Sequence, residues 1–161
     1  MIKFHSSKLV NENDLSLLKS LSGFVLNKFF TKPKQKRLNI DITFKENLFE
    51  KTNQYANCIW EGEHYRPLDF SINIDPDQKI QLLLNSLAHE LVHVKQWAKG
   101  EFYQLQRERN VYKFNGQRWD TDKVDYWDTP WEIEAHGRAI GLVVQWARVN
   151  KLTGQKLVVE G

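Results

Sequence analysis

Residues 86–97 read SLAHELVHVKQW, and this stretch constrains the chain more than any other. It sets His89 and His93 four apart, with Glu90 directly after the first, among the uncharged neighbours Leu87, Ala88, Leu91, Val92 and Val94. Side chains at i and i+4 share one helix face. Two neutral imidazoles so placed can both reach one metal ion, whereas two unpaired core histidines would leave ring nitrogens needing partners. Glu90 points away from the line joining the histidines, so it is not a third ligand beside them. It can reach a water in an open metal position, take its proton and deliver it to a leaving amine. A fold that contains this stretch must therefore bring a third ligand to the histidine face.

The helix carrying the motif has clear signals at both ends. In Asp75-Pro76-Asp77-Gln78 the spacing predicts Asp75 as N-cap, Pro76 as first helical residue and Gln78 as reciprocal capping partner. The apolar run continues to Ala98, and Gly100 is placed to end it. A last helix starts in the same way at Thr129-Pro130-Trp131-Glu132 and runs to about Asn150. An N-terminal helix is expected over 12–30, with Leu15, Leu18, Leu21, Val25 and Phe29 on one face and Lys32-Pro33-Lys34 as its end. RLNIDITF and LDFSINID alternate and read as strands, and ANCIWEG reads as another. VYKFNGQRW resembles a hairpin around Asn115-Gly116. KLVVE near the end is expected as a short strand.

The 161 residues suit one domain, over 1–161, long enough to bury a core without staples. Six Trp and nine Phe argue against disorder. With Cys58 as the single cysteine no intrachain disulfide forms, which fits a reducing compartment. No apolar run reaches membrane-spanning length, and residues 1–15 lack the apolar stretch of a signal peptide. A cytoplasmic protein is the expectation, in the host cytoplasm if phage-encoded, with no membrane partner. A net charge of +3 is too small to argue for nucleic acid by itself. The basic residues do cluster, at Lys28, Lys32, Lys34, Lys36 and Arg37. Such a cluster is usually a solvated turn, yet it can touch phosphates.

The third ligand must come from downstream, because Lys99 stands where a metzincin would place its third histidine. Glu132, Glu134 and His136, in DTPWEIEAHGRAIGL, are the candidates. Glu132 and His136 share a helix face, and Glu134 is rotated off it. Thr129-x-x-Glu132 is also a capping box by sequence, which would explain that glutamate with no metal. Ala135, Ala139 and Gly141 are small enough to let the last helix approach the histidine helix closely.

AHELVHVKQW followed by PWEIEAHG resembles the gluzincin-type zinc metallopeptidases, and is similar to minimal phage and bacterial members of the SprT-like and ImmA/IrrE groups. The resemblance covers roughly residues 68–146. It implies one Zn2+ held by His89, His93 and Glu132, with Glu90 as general base and a peptide or protein as substrate. It also implies an α+β fold in which a small twisted sheet packs against the HEXXH helix, the second ligand-bearing helix and an N-terminal backing helix. In enzymes of this kind the strand before the metal helix, here LDFSINID, binds extended peptide along its edge. The sequence departs from the pattern at His136, where gluzincins commonly carry an acid that supports a histidine ligand. SprT-like proteins use a third histidine, which makes His136 the alternative ligand. Tyr126, His136, Arg138 and Tyr103 are candidates to stabilise an oxyanion, and Trp127 and Trp131 to pack the start of the last helix. A different reading is a nucleic-acid-associated or phage-structural binding module that keeps the fold without turnover, with the basic cluster carrying it.

Overall fold

The alternating runs RLNIDITF and LDFSINID become neighbouring parallel strands, Asn39–Phe44 and Asp69–Ile74, in a computed structural model that describes residues 1–159. Numbered in chain order these are β2 and β4. Their inward side chains Ile40, Ile42, Phe44, Phe70, Ile72 and Ile74 are all at most 2% exposed. β1 (Ile2–His5) pairs in parallel with β2, and β3 (Ala56–Glu61) pairs antiparallel with β4, giving the order β1-β2-β4-β3. The sheet therefore corrects one expectation. LDFSINID is an internal strand whose backbone is paired on both sides, so the free edge beside the histidine helix belongs to β3.

That helix, α4, runs from Ile80 to Ala98 and packs on β3 and β4, on α1 (Glu12–Phe29) and on α5 (Pro130–Val149). Every residue from 87 to 98 is buried. Leu83, Leu84, Leu87, Leu91, Val92 and Val94 are at most 1% exposed, each worth about 1.5–3 kcal/mol of burial. Their burial offsets the cost of enclosing His89, Glu90, His93, Lys95 and Gln96, polar groups that are tolerable inside only when partnered. The stop at Gly100 holds as expected. Gly100 has φ +71°, its N–H donates to the Trp97 carbonyl and that of Glu101 to the Gln96 carbonyl, closing a Schellman turn. A Cβ on Gly100 would lie 2.8 Å from the Tyr65 ring.

The start of α4 is different from the expectation. Lys79, not Asp75, is the N-cap, and the helix begins at Ile80. Asp75 instead accepts from the Asp77 N–H at 3.0 Å and from the Phe49 N–H at 2.9 Å. It so ties the first turn of a short helix, α3 (Leu48–Thr52), to the end of β4. Gln78 does reach back, donating its side-chain amide to the Asp75 carbonyl at 2.7 Å. Pro33 likewise starts a helix rather than ending one: α1 stops at Phe29 and α2 (Lys32–Arg37) follows with the proline in its first turn. α1 itself matches the 12–30 expectation, capped by Asn11, which accepts from the Asp14 N–H. Its Trp146 contact, indole N–H to the Ser20 hydroxyl at 3.0 Å, ties α5 to this backing helix.

A second sheet of three antiparallel strands, β5 (Phe102–Gln104), β6 (Val111–Phe114) and β7 (Gln117–Asp120), follows α4. The expected hairpin is there: Asn115 (φ 48°) and Gly116 (φ 82°) make its two-residue turn, which needs positive φ at both positions. Residues 156–159 of KLVVE form no strand, and Glu160 lies outside the described residues. No helix among the described residues is long and apolar enough to cross a membrane.

Candidate metal centre

His89, His93 and Glu132 are buried, and one ligand atom from each lies within 4.8 Å of the others. The His89 and His93 Nε2 atoms are 3.0 Å apart. Glu132 Oε2 stands 3.2 Å from His89 Nε2, and Oε1 stands 3.3 Å from His93 Nε2. An ion at 2.0–2.1 Å from tetrahedral ligands needs ligand atoms about 3.3 Å apart. Each of these spacings is close to that value, with the two Glu132 oxygens divided between the two histidines. These residues can hold a metal ion, with a further position facing the cavity beside them.

The hydrogen bonds behind the site say what the three atoms want. Gln96, one turn below His93 on α4, donates its amide NH2 to the Trp131 carbonyl at 2.9 Å and to Glu134 at 3.3 Å. Both partners are acceptors only, which fixes the amide's orientation. Its oxygen then faces His93 Nδ1 at 2.8 Å, so Nδ1 carries the hydrogen and Nε2 of neutral His93 presents a lone pair to the cluster. A carboxylate and that lone pair meeting at 3.3 Å in a buried site demand a cation between them, either a proton or a metal. Burial pulls the His93 pKa down, but the bond to Glu132, the charges of Glu90 and Glu132 and the bond to Gln96 raise it to about 9. Burial pushes Glu132 upward, yet bonds to His89, His93 and Tyr126 hold it well below the usual carboxylate range.

Glu132 reaches this position because α5 begins one residue after Thr129. The capping box allowed by sequence does not form: the Thr129 hydroxyl donates to the Tyr126 carbonyl at 2.7 Å, and the Glu132 carboxylate turns to the histidines. Ala135 and Ala139 are fully buried at the close approach of α5, whereas Gly141 faces outward and has no part in it. Of the other ligand candidates, Glu134 is behind the site. It receives Lys95 at 2.5 Å and Arg138 at 3.1 Å as well as Gln96. His136 is at the rim, its side chain 42% exposed and 3.8 Å from Glu132, and burial together with the nearby His89 lowers its pKa. The support behind His93 comes from Gln96, with Glu134 behind it in turn.

Glu90 stands outside the triad but lines the cavity on it. Burial, with a further contribution from Glu132 against the opposing pull of His93, raises its pKa to about 7. Tyr126, in the turn before α5, donates its hydroxyl to Glu132 at 2.7 Å and lines the cavities on both sides of the site. Arg138 is drawn away to Glu134, and Tyr103 packs on Tyr65. The two tryptophans divide: Trp131 is buried, while Trp127 is 66% exposed and lies over the His136 ring at 4.9 Å.

Sequence reasoning did not single out Gln96, whose only signal was a polar residue three after His93 inside an apolar run, nor the β3 edge. Comparison with protein-family models, curated proteins and solved structures finds no match to this chain.

Proposed function

We propose that this protein is a zinc-dependent metallopeptidase of the gluzincin type. The observation that carries the proposal is the convergence of His89, His93 and Glu132 within reach of one metal ion, beside a buried glutamate of raised pKa. Mixed nitrogen and oxygen ligands favour zinc. A bound zinc ion supplies a Lewis acid and lowers the pKa of water at its open position. Glu90 takes a proton from the attacking water as the new C–O bond forms at the peptide carbonyl. It then passes that proton to the amine nitrogen as the C–N bond breaks. The Tyr126 hydroxyl, hydrogen-bonded to Glu132, is placed to turn toward the oxygen that gains charge. Gln96 keeps the His93 ring in its ligating tautomer. The substrate backbone adds to the free edge of β3, whose residues Ala56, Asn57, Cys58 and Trp60 line the cavity with the triad.

Hydrolysis of a peptide by zinc-loaded protein, lost on chelation and in Glu90→Gln, is the test. A binding module without turnover is the second reading. It rests on α2, where Lys34 has a pKa lowered by burial and by the neighbouring Arg37 and Arg66 charges. Salt-dependent DNA binding by zinc-loaded protein that cleaves no peptide would favour it.

A further inference from the structure

The cavity that the triad lines is also walled by aromatic side chains. Its volume is about 360 Å3, within the range of small-ligand sites. Trp60, Trp97, Phe102, Tyr112 and Trp131 line it together with His89, Glu90, His93 and Glu132. These aromatics form a continuous chain. Trp60 stacks on Trp97 at 3.9 Å, Trp97 meets Phe102 at 4.4 Å, and Phe102 stacks on Trp131 at 4.4 Å. Tyr112 completes it, 5.2 Å from Phe102 and 5.8 Å from Trp131.

Each wall is tied by sequence to the reacting centre. Trp97 follows His93 by one helical turn, Trp131 immediately precedes Glu132, and Trp60 is on the β3 edge. Phe102 and Tyr112 come from the second sheet, which so acts as the outer wall of the chamber. The other lining side chains, Thr121 and Val124 among them, carry no charge. The only carboxylates lining the cavity are Glu90 and Glu132, the second of them bonded to the histidines. An aromatic chamber can also hold a cation, but its lining offers no acid beyond Glu90 and Glu132 to select one.

We infer that this chamber is a specificity pocket for a bulky apolar side chain, aromatic above all, on a residue adjoining the cleaved bond. The inference rests on the metallopeptidase reading above. It predicts cleavage beside Phe, Tyr, Trp or Leu and poor cleavage beside Gly, Ala or Lys.

Three amino-acid hydroxamates test it, because the hydroxamate anchors at a metal and leaves the side chain to probe the chamber. Their side chains are methyl, benzyl and 4-aminobutyl. Titration calorimetry on zinc-loaded protein should show the benzyl compound binding roughly 10- to 100-fold tighter than the other two, the range expected for enclosing one aromatic side chain. Val124→Trp, which fills the chamber from a loop, should erase that preference while zinc affinity stays unchanged. Should that variant fail to fold, Tyr112→Ala, which widens the chamber, should move the preference from benzyl to a fourth hydroxamate that carries an indolylmethyl side chain. Zinc-dependent binding of all three within about 3-fold of one another would overturn the pocket and leave the metal site standing. Tightest binding by the aminobutyl compound would overturn it as well. If none of the three bound to protein shown to hold zinc, the open metal position would be refuted, and the pocket with it.

Discussion

Metal binding by this site should be coupled to the release of a proton, and the coupling follows from Gln96. Because the Gln96 oxygen holds the hydrogen of His93 on Nδ1, the proton that His93 gains in metal-free protein is on Nε2, the atom a metal must use. That proton is held with a pKa of about 9. At pH 7 the metal displaces it at a cost of two pH units, so the apparent zinc affinity is about 100-fold below its plateau. From pH 7 the logarithm of the affinity should climb by about one for each pH unit and level off above the His93 pKa. Titration calorimetry in two buffers of different ionisation enthalpy counts the protons directly, and close to one should leave per zinc at pH 7.5. The same shift has a sign for stability. His93 has its folded pKa above its ordinary value of 6.5, so its contribution to metal-free stability is complete below pH 6.5 and is lost as pH rises through about 9. Glu90, raised from 4.5 to about 7, behaves alike in a lower window, its contribution complete below pH 4.5 and lost as pH rises through 7. Metal-free protein should therefore lose stability toward alkaline pH while the zinc-loaded form holds. Zinc binding with no proton release at pH 7.5, and an affinity flat from pH 7 to 9, would refute the reasoning about His93.

Other substitutions separate the roles around the triad. Gln96→Ala should weaken zinc binding on the order of 10- to 100-fold. It also leaves the buried His93 Nδ1 without its partner, a loss of about 1–3 kcal/mol, measurable by denaturant unfolding. Glu132→Ala should remove most zinc affinity, whereas His136→Ala, at the rim, should change it little in competition titrations with a chromogenic chelator. Loss of affinity in His136→Ala with retention in Glu132→Ala would move the third ligand to the histidine. Chelation should lower the melting temperature without unfolding the chain, because the ion joins α4 to α5 but the core beneath stands without it. Calorimetry showing no shift, on protein proved to have held zinc, would count against a site that bridges these helices.

The legible parts of the fold were those set by local chemistry. The alternation of β2 and β4, the Asn115-Gly116 turn and the Gly100 stop each follow from a short-range rule, and each is present. The histidine pair was equally plain, since i and i+4 on any helix converge. What was hidden is what depends on partners distant in sequence. Asp75-Pro76-Asp77-Gln78 has the form of a helix start, but the Phe49 N–H, 26 residues earlier, claims the aspartate. Thr129-x-x-Glu132 has the form of a capping box, and the histidines outbid the cap for the carboxylate. β1 pairs with β2 across the whole of α1 and α2, and its four residues carry little pattern of their own. Which strand offers a free edge is a property of sheet order, and no alternation within LDFSINID could reveal that β3 would cover it.

Peptide cleavage itself tests the central claim most directly. Zinc-loaded wild type and zinc-loaded Glu90→Gln are each incubated with a peptide library made from a whole-cell digest, and new termini are identified by mass spectrometry. The account predicts new termini from the wild type, none with chelator present, and none from Glu90→Gln even though that variant retains its zinc. Wild-type protein that holds one zinc per chain at His89, His93 and Glu132 yet generates no new termini, or a Glu90→Gln variant that cleaves at the wild-type rate, would contradict it.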